Sequence, residues 1–411
     1  MNTSVFTGNE IVRSIIINLK KDLPDKIYSD TVDGDGNQYV DLVQEGGGVL
    51  GIALLGYTYV LEQIGIRFFS LAGTSAGAIN TILLASVDEI SKPKTEKILE
   101  YLVNQNLFDF VDGPFRTKQL FNAIKRNANS KFKLFWTSLI VFWGLTIIPH
   151  LLKYKGLNYG EELRKWIAEI LKKNNISSVA DLDNLRIAPG GLKIREGVDK
   201  TTEGLNPKLY IIAAEVTTES RIIFPEMNGL FWKDPLNANP ADYVRASMSI
   251  PVFFHPFIIK TENKNTNDWY AGVRYSGNPP DESVFVDGGV LSNFPIDVFH
   301  NYKIIPRLPT FGVKLGDDRN QLSSTSSMPE FLMAIFDSAR HVLDYQFLFN
   351  NPDYENLIAK IDTKDHNWLN FSMADDEKID LFIQGAKAAS DFLRKFDWEK
   401  YKKIRADLIK V

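Results

Sequence analysis

Between Arg67 and Ala85 the chain reads RFFSLAGTSAGAINTILLA, and no other stretch limits the fold so tightly. The apolar run from Phe68 to Ala72 predicts a buried strand. Next comes Gly73-Thr74-Ser75-Ala76-Gly77, a G-x-S-x-G pentapeptide, and then small and aliphatic residues that predict a helix. Strand, sharp turn and helix form the setting in which such an elbow holds its serine exposed at a helix mouth. The glycines leave no Cβ where the chain must turn and pack closely. The helix start aims backbone N–H groups and a partial positive charge at any oxyanion formed there. A Gly/Ser turn without chemistry is the alternative. The flanking strand and helix favour Ser75 as a nucleophile.

A second glycine run lies upstream. Residues 39–44 predict a strand that enters Glu45-Gly-Gly-Gly-Val-Leu-Gly51, and residues 52–63 predict a long helix closed by Gly65. Gly46, Gly48 and Gly51 satisfy G-x-G-x-x-G, so a dinucleotide site has to be weighed. That reading wants an acidic residue at the end of the second strand, to hold a ribose hydroxyl. Here the second strand ends in Leu71-Ala72 and delivers the serine elbow instead. A glycine loop at a helix N-terminus can equally cradle an oxyanion through its exposed N–H groups. Two successive strands then bring donors and a serine to one sheet edge, where open α/β sheets place their sites.

The 411-residue chain suits one large α/β domain or two ordinary ones. A formal net charge of −4 argues against a general nucleic-acid binder. The absence of cysteine excludes disulfides, thiolate metal sites and a cysteine nucleophile. Residues 1–10 lack the basic start and apolar run of a secretory signal, so a cytoplasmic location is expected, with peripheral membrane contact as an addition. Residues 9–23 predict an amphipathic helix capped by Asn9, and 33–37 a polar turn. The expected organisation is a helical arm over 1–36 and a catalytic domain over 37–411. That domain carries an apolar insertion at about 131–155 and C-terminal helices at about 329–411.

The insertion centres on LFWTSLIVFWGLTIIP, residues 134–149, which holds no charge. Lys131 and Lys133 precede it, and Lys153 and Lys155 follow. Continued through Leu152 it approaches the length of a membrane span, but Thr137, Ser138, Gly144, Thr146 and His150 interrupt it. Three readings stay open: a buried helix or active-site cover, a lipid-facing interfacial segment, and a true span. Further on, residues 161–173 predict a helix and 208–216 a buried strand. Residues 283–286 predict a short strand running into Asp287-Gly288-Gly289. Residues 314–328 read as a polar loop, and helices over 331–349 and 374–396 flank a strand at 357–361.

A serine hydroxyl is a poor nucleophile until a nearby base takes its proton. Five histidines qualify by type: His150, His255, His300, His341 and His366. Among carboxylates Asp287 is best placed, because a buried strand opening into a glycine turn projects a side chain past a sheet edge. An Asp-Gly turn former with no catalytic part is its alternative.

Gly46-Gly-Gly-Val-Leu-Gly51, the Gly73–Gly77 elbow, Arg245-Ala-Ser-Met-Ser-Ile-Pro251 with Phe254-His-Pro256, and Asp287-Gly-Gly-Val-Leu-Ser-Asn-Phe-Pro295 occur in the order and spacing of patatin-like phospholipases. The chain resembles that family over about residues 38–300. The resemblance implies a three-layer α/β/α fold with a central, mostly parallel sheet, and a Ser–Asp dyad that hydrolyses acyl esters of lipids. Carried over by position, Ser75 is the nucleophile, Asp287 the base, and Gly46, Gly47 and Gly48 form the oxyanion hole. Gly73, Thr74, Ala76 and Gly77 shape the elbow, and Gly288 and Gly289 the turn. The implied substrate is a lipid or phospholipid, with phospholipase A or general esterase activity and no metal or cofactor. Two positions depart from the family pattern: Glu45 stands where Asp is common, and Leu50 where the loop carries Arg or Lys. The rivals are a catalytically weak lipid- or membrane-binding protein and a Ser-His-Asp α/β-hydrolase.

Overall fold

The computed structural model describes residues 2–128, 133–195, 201–316 and 322–409. Within the helices it leaves aside the side chains at 124–128, 133–136, 328–330, 332, 333 and 336. The parts of the sequence expectations that fall on 131–132, 196–200, 317–321 and 410–411 therefore lie outside the described residues.

Runs of aliphatic and aromatic residues form the strands that organise the molecule. They are β1 (Gln38–Gln44), β2 (Ile66–Thr74), β3 (Leu209–Glu215), β4 (Phe257–Lys260), β5 (Glu282–Asp287), β6 (Thr310–Leu315) and β7 (Ile358–Ile361). They pair in the order β7-β6-β1-β2-β3-β5-β4, and short strands at Thr31–Val32, Lys193–Ile194 and Ser220–Phe224 complete a ten-stranded sheet. The five strands from β7 to β3 run parallel, whereas β5 is antiparallel to both β3 and β4. Adjacent residues such as Tyr39 and Val40, or Leu42 and Val43, are all buried, so both faces of the sheet are covered. That is why these strands read as continuous apolar runs without alternation.

The framing helices are α1 (Glu10–Asp22), α2 (Gly51–Gln63), α3 (Ala76–Ser86), α4 (Phe115–Ala128), α5 (Lys133–Tyr154), α6 (Glu161–Lys173), α7 (Ala241–Ser247), α8 (Met328–Asn350) and α9 (Asp375–Lys395). Asn9 caps α1 by accepting the Ile11 N–H at 3.0 Å, and Phe6, Val12 and Leu19 join the main core. The α2 and α9 helices pack against each other. A smaller cluster of Tyr39, Phe69, Ile90 and Leu308 forms a second core. The fold is α/β with helices packed about a mixed central sheet.

Two sequence expectations are corrected here. Residues 310–315, whose end was read as the start of a polar loop, form the internal strand β6. The misleading residue is Lys314, which is buried with its ammonium over the rings of Phe294 and Tyr345. The apolar stretch at 134–149 lies within α5, and α5 is not a buried helix. Only 6% of the window Thr137–Tyr154 is buried, although it is long and apolar enough to cross a membrane. The helix pairs with α4 as a hairpin, where Arg116 donates to the Thr146 carbonyl at 3.2 Å and Phe115 meets Trp143 edge to face.

Candidate active site

Strand β2 ends at Thr74 and α3 begins at Ala76, so Ser75 is the whole turn between them. Its backbone sits at φ 53° and ψ −117°, a conformation that costs a non-glycine residue about 1–3 kcal/mol. The elbow glycines are explained by close approach. A Cβ at Gly73 would strike the Gly77 carbonyl, and one at Gly77 would strike the Gln44 carbonyl. The Ser75 N–H donates to Ser247 Oγ at 2.9 Å, which ties the strained turn to the end of α7.

Asp287 arrives from the opposite direction. It is the last residue of β5, and in the antiparallel β5–β3 register it stands beside Ala213. In the parallel β2–β3 register Thr74 stands beside Ile212. The two strands therefore run toward each other along opposite sides of β3 and stop at the same level. The result is a hydrogen bond from Ser75 Oγ to Asp287 Oδ2 at 2.6 Å. Asp287 Oδ1 accepts the Gly289 N–H at 2.8 Å, and the Asp287 N–H donates to the Ser249 carbonyl at 2.9 Å.

Both side chains are enclosed, Ser75 at 4% exposure and Asp287 at 6%. Burial pushes the Asp287 carboxyl up to about 6, while the bonds from Ser75 and the Gly289 amide and the charge of Arg340 pull it back. A carboxylate held there is ionised at neutral pH yet basic enough to take a proton.

The glycine loop lies against this pair. The Gly46 N–H is taken up by the Asn293 carbonyl at 3.1 Å, and Asn293 Nδ2 donates back to the Gly46 carbonyl at 3.2 Å. Among the described residues the Gly47 and Gly48 amides meet no protein acceptor. Of the three glycines expected to donate, Gly46 therefore has its N–H already taken. Gly46 instead makes room: a Cβ there would lie 2.5 Å from Asn293 Oδ1 and 3.0 Å from the Ser75 Cβ. Glu45 anchors the loop from behind by accepting the Leu315 N–H at 2.7 Å, with the Lys314 ammonium 3.6 Å away. Leu50 is buried.

Several neighbours carried no separate role in the sequence reading. Met248 places its sulfur 3.2 Å from Ser75 Oγ. Ser247, Met248 and Ser249 belong to the Arg245–Pro251 motif, and Asn293 to the Asp287–Pro295 motif, so motif membership was the signal available. Arg245 is buried and donates to Ser249 Oγ at 2.6 Å and to the carbonyls of Tyr159 and His255 at 2.6 and 2.8 Å. Four histidines have partners away from the serine: His150 and His255 pair at 3.2 Å, His300 meets the Tyr354 hydroxyl, and His366 meets Asp380. His341 lies beside the Tyr345 ring on α8, with the two rings tilted. Among the described residues no cluster of three or more His, Asp or Glu side chains is arranged to hold a metal.

Beside the serine runs a cavity of ≈ 40 Å³ lined by Gly48, Ala76, Ile79, Met248, Trp166 and Phe371, among other mostly apolar groups. It is narrow, and its lining includes Ala76 next to Ser75 and Gly48 of the glycine loop.

Comparison with known proteins gives a family and several relatives. A family model described as patatin-like phospholipase matches residues 42–300. The uncharacterized protein YqhO of Bacillus subtilis (strain 168) is 28% identical over 362 residues, which is 88% of this chain and 100% of that protein. Among solved structures, VipD from Legionella pneumophila aligns at 16% identity and a TM-score of 0.41, over 89% of this chain and 68% of its own. ExoU, in its complex with SpcU from the type III secretion system of Pseudomonas aeruginosa, aligns at 16% identity and a TM-score of 0.34. That match covers 87% of this chain and 52% of the other.

Proposed function

The chain belongs to the patatin-like phospholipase family, and from that premise we propose that it is a serine acyl hydrolase that cleaves acyl esters of lipids through Ser75 and Asp287. The observation that carries the reading is the 2.6 Å bond from Ser75 Oγ to Asp287 Oδ2, set at the head of an apolar cavity. A nucleophile, a base of matched basicity and glycine amides converge beside a narrow apolar cavity.

The chemistry follows from those atoms. Ser75 Oγ attacks the ester carbonyl as its proton passes to Asp287 Oδ2. The carbonyl oxygen becomes an oxyanion, for which the Gly47 and Gly48 amides are the proposed donors. Collapse breaks the bond to the alcohol oxygen, which takes the proton from Asp287 and leaves. Water then attacks the acyl-serine, Asp287 takes its proton, and the second collapse returns that proton to Ser75 Oγ and frees the carboxylic acid. The apolar lining matches an acyl chain, and phospholipase A or general lipid esterase activity is the corresponding class.

The test is hydrolysis of a defined phosphatidylcholine, with the released lysolipid and fatty acid read by mass spectrometry. The wild type should release both and Ser75→Ala neither. Equal release by a folded Ser75→Ala protein would contradict the proposal.

A further inference from the structure

We propose that the α4–α5 hairpin is a docking element for an anionic lipid bilayer, binding in the plane of its surface. The proposal deepens the lipid-hydrolase reading and rests on it for the purpose of docking, though not for the binding itself.

The first observation is the direction in which α5 faces. Val141, Phe142, Leu145, Ile148 and Leu152 recur at spacings of one, three, three and four residues, which sets them along one side of a helix. All five are exposed, from 44% at Ile148 to 76% at Leu152. Apolar side chains in a helical stripe ordinarily point into a core; this stripe points away from one. Isolated exposed apolar residues need no explanation, but a contiguous row marks an interaction surface.

The second observation identifies the occupant. Residues 113–160 hold eight Lys and Arg residues and no Asp or Glu, in a chain whose formal net charge is −4. The basic residues are Arg116, Lys118, Lys125, Arg126, Lys131, Lys133, Lys153 and Lys155, grouped at and beyond the ends of the apolar run. A second copy of this chain would bring two such basic segments together. An anionic head-group layer adds attraction to apolar insertion. Tyr154, with the Lys153 ammonium 4.7 Å over its ring, and Tyr159 stand where α5 rejoins the body, as amphipathic rings do at head-group depth.

The third observation separates docking from spanning. At about 1.5 Å per residue α5 is long enough to cross a bilayer. Its partner α4 carries Arg116, Lys118, Gln119, Asn122, Lys125, Arg126 and Asn127 and could not follow it into hydrocarbon. Lying flat satisfies both helices.

The placement also suits the proposed chemistry. Phe121 of α4 meets Phe253 edge to face, Phe253 stacks on Phe371, and Phe371 lines the apolar cavity beside Ser75. Beyond α5, Arg245 binds the Tyr159 carbonyl and begins the segment whose Ser247 and Ser249 hold Ser75 and Asp287. A bilayer under the hairpin thus lies next to the route into the site.

The experiment is vesicle flotation of the Ser75→Ala protein, so that turnover does not alter the lipid. Phosphatidylcholine vesicles are compared with and without phosphatidylglycerol. Binding should require phosphatidylglycerol and weaken in high salt. Phe142→Ser, Leu145→Ser and Ile148→Ser together should lower it about 1,000-fold, since each buried large apolar side chain is worth about tenfold or more. Lys153→Glu with Lys155→Glu should weaken it without touching the stripe. These side chains are exposed, so circular dichroism and soluble-ester hydrolysis in the Ser75-containing versions should match wild type. Failure to float with anionic vesicles, unchanged floating of the triple variant, release only by detergent, or pairing of two chains without lipid would each overturn the proposal. Floating by a protein inactive on every ester would sink the hydrolase reading alone.

Discussion

The surroundings of Ser75 and the outer face of α5 break the ordinary sorting of residues in opposite senses. Around Ser75, polar side chains are buried: Asp287, Ser247, Asn293, Glu45 and Lys314 are all nearly excluded from solvent. Along α5, Val141, Phe142, Leu145, Ile148 and Leu152 are exposed. Folded proteins favour the reverse of both arrangements. The first region is tied down by hydrogen bonds from every direction, and its cost is visible in the raised Asp287 carboxyl and the strained Ser75 backbone. The second has few internal partners and is cheap to change. Substitutions should therefore be severe and chemical in the first region, and mild except against lipid in the second.

The largest break is expected at the nucleophile. Ser75→Ala should lower kcat for a short-chain nitrophenyl ester on the order of 10⁴-fold or more, with no change in the circular dichroism spectrum. Asp287→Asn should fall nearly as far, because the amide keeps the shape but cannot take the proton. Single alanine changes at the five histidines should each leave substantial turnover. A histidine variant as inactive as Ser75→Ala would replace the dyad with a triad.

Asp287→Asn also sharpens the comparison through stability. The folded carboxyl lies at about 6, against about 3.9 in an unfolded chain. A pKa raised on folding gives stability that is complete below pH 4 and lost as pH rises toward 6. At pH 7 the buried carboxylate therefore destabilises the fold by up to about 3 kcal/mol. The asparagine variant should unfold at higher denaturant concentration than wild type at pH 7, and the gain should shrink below pH 5. The same carboxyl must be ionised to accept a proton, so wild-type kcat/KM should fall about tenfold per pH unit below about 6.

Gly46→Ala tests packing within the buried region. Its Cβ would press on Asn293 and on the Ser75 Cβ, and displacing a nucleophile by about 1 Å can cost about 10²-fold in rate. The expected signature is lower kcat with KM little altered. At the other extreme, Phe142→Ser, Leu145→Ser and Ile148→Ser together should change soluble-ester turnover by less than about threefold, in line with surface changes of about 0.5 kcal/mol.

The local part of this site was legible in the sequence, and the non-local part was not. The serine elbow is short-range: the strand, the two glycines and the helix are contiguous, and the structure keeps them as read. Asp287 was identified from its own strand and glycine turn. Its approach along an antiparallel strand depends on pairing with β3, some seventy residues earlier in the chain, which no local pattern encodes. Gly46 looks identical to Gly47 and Gly48 in sequence. Its amide differs only because Asn293 reaches it from the far side of the chain. For α5, composition reported an apolar helix but not its surroundings, since burial depends on what packs against it. Lys314 shows the converse, a charge that reads as surface and is buried over two rings.

The central claim is that Ser75 is activated by its setting, and active-site labelling asks this directly. The wild-type protein would be treated with a fluorophosphonate and its peptides analysed by mass spectrometry. The account predicts a single phosphonyl adduct on the peptide carrying Ser75, absent from Ser75→Ala and much slower to form in Asp287→Asn. An adduct on a different residue, or none on a folded wild-type protein, would contradict it.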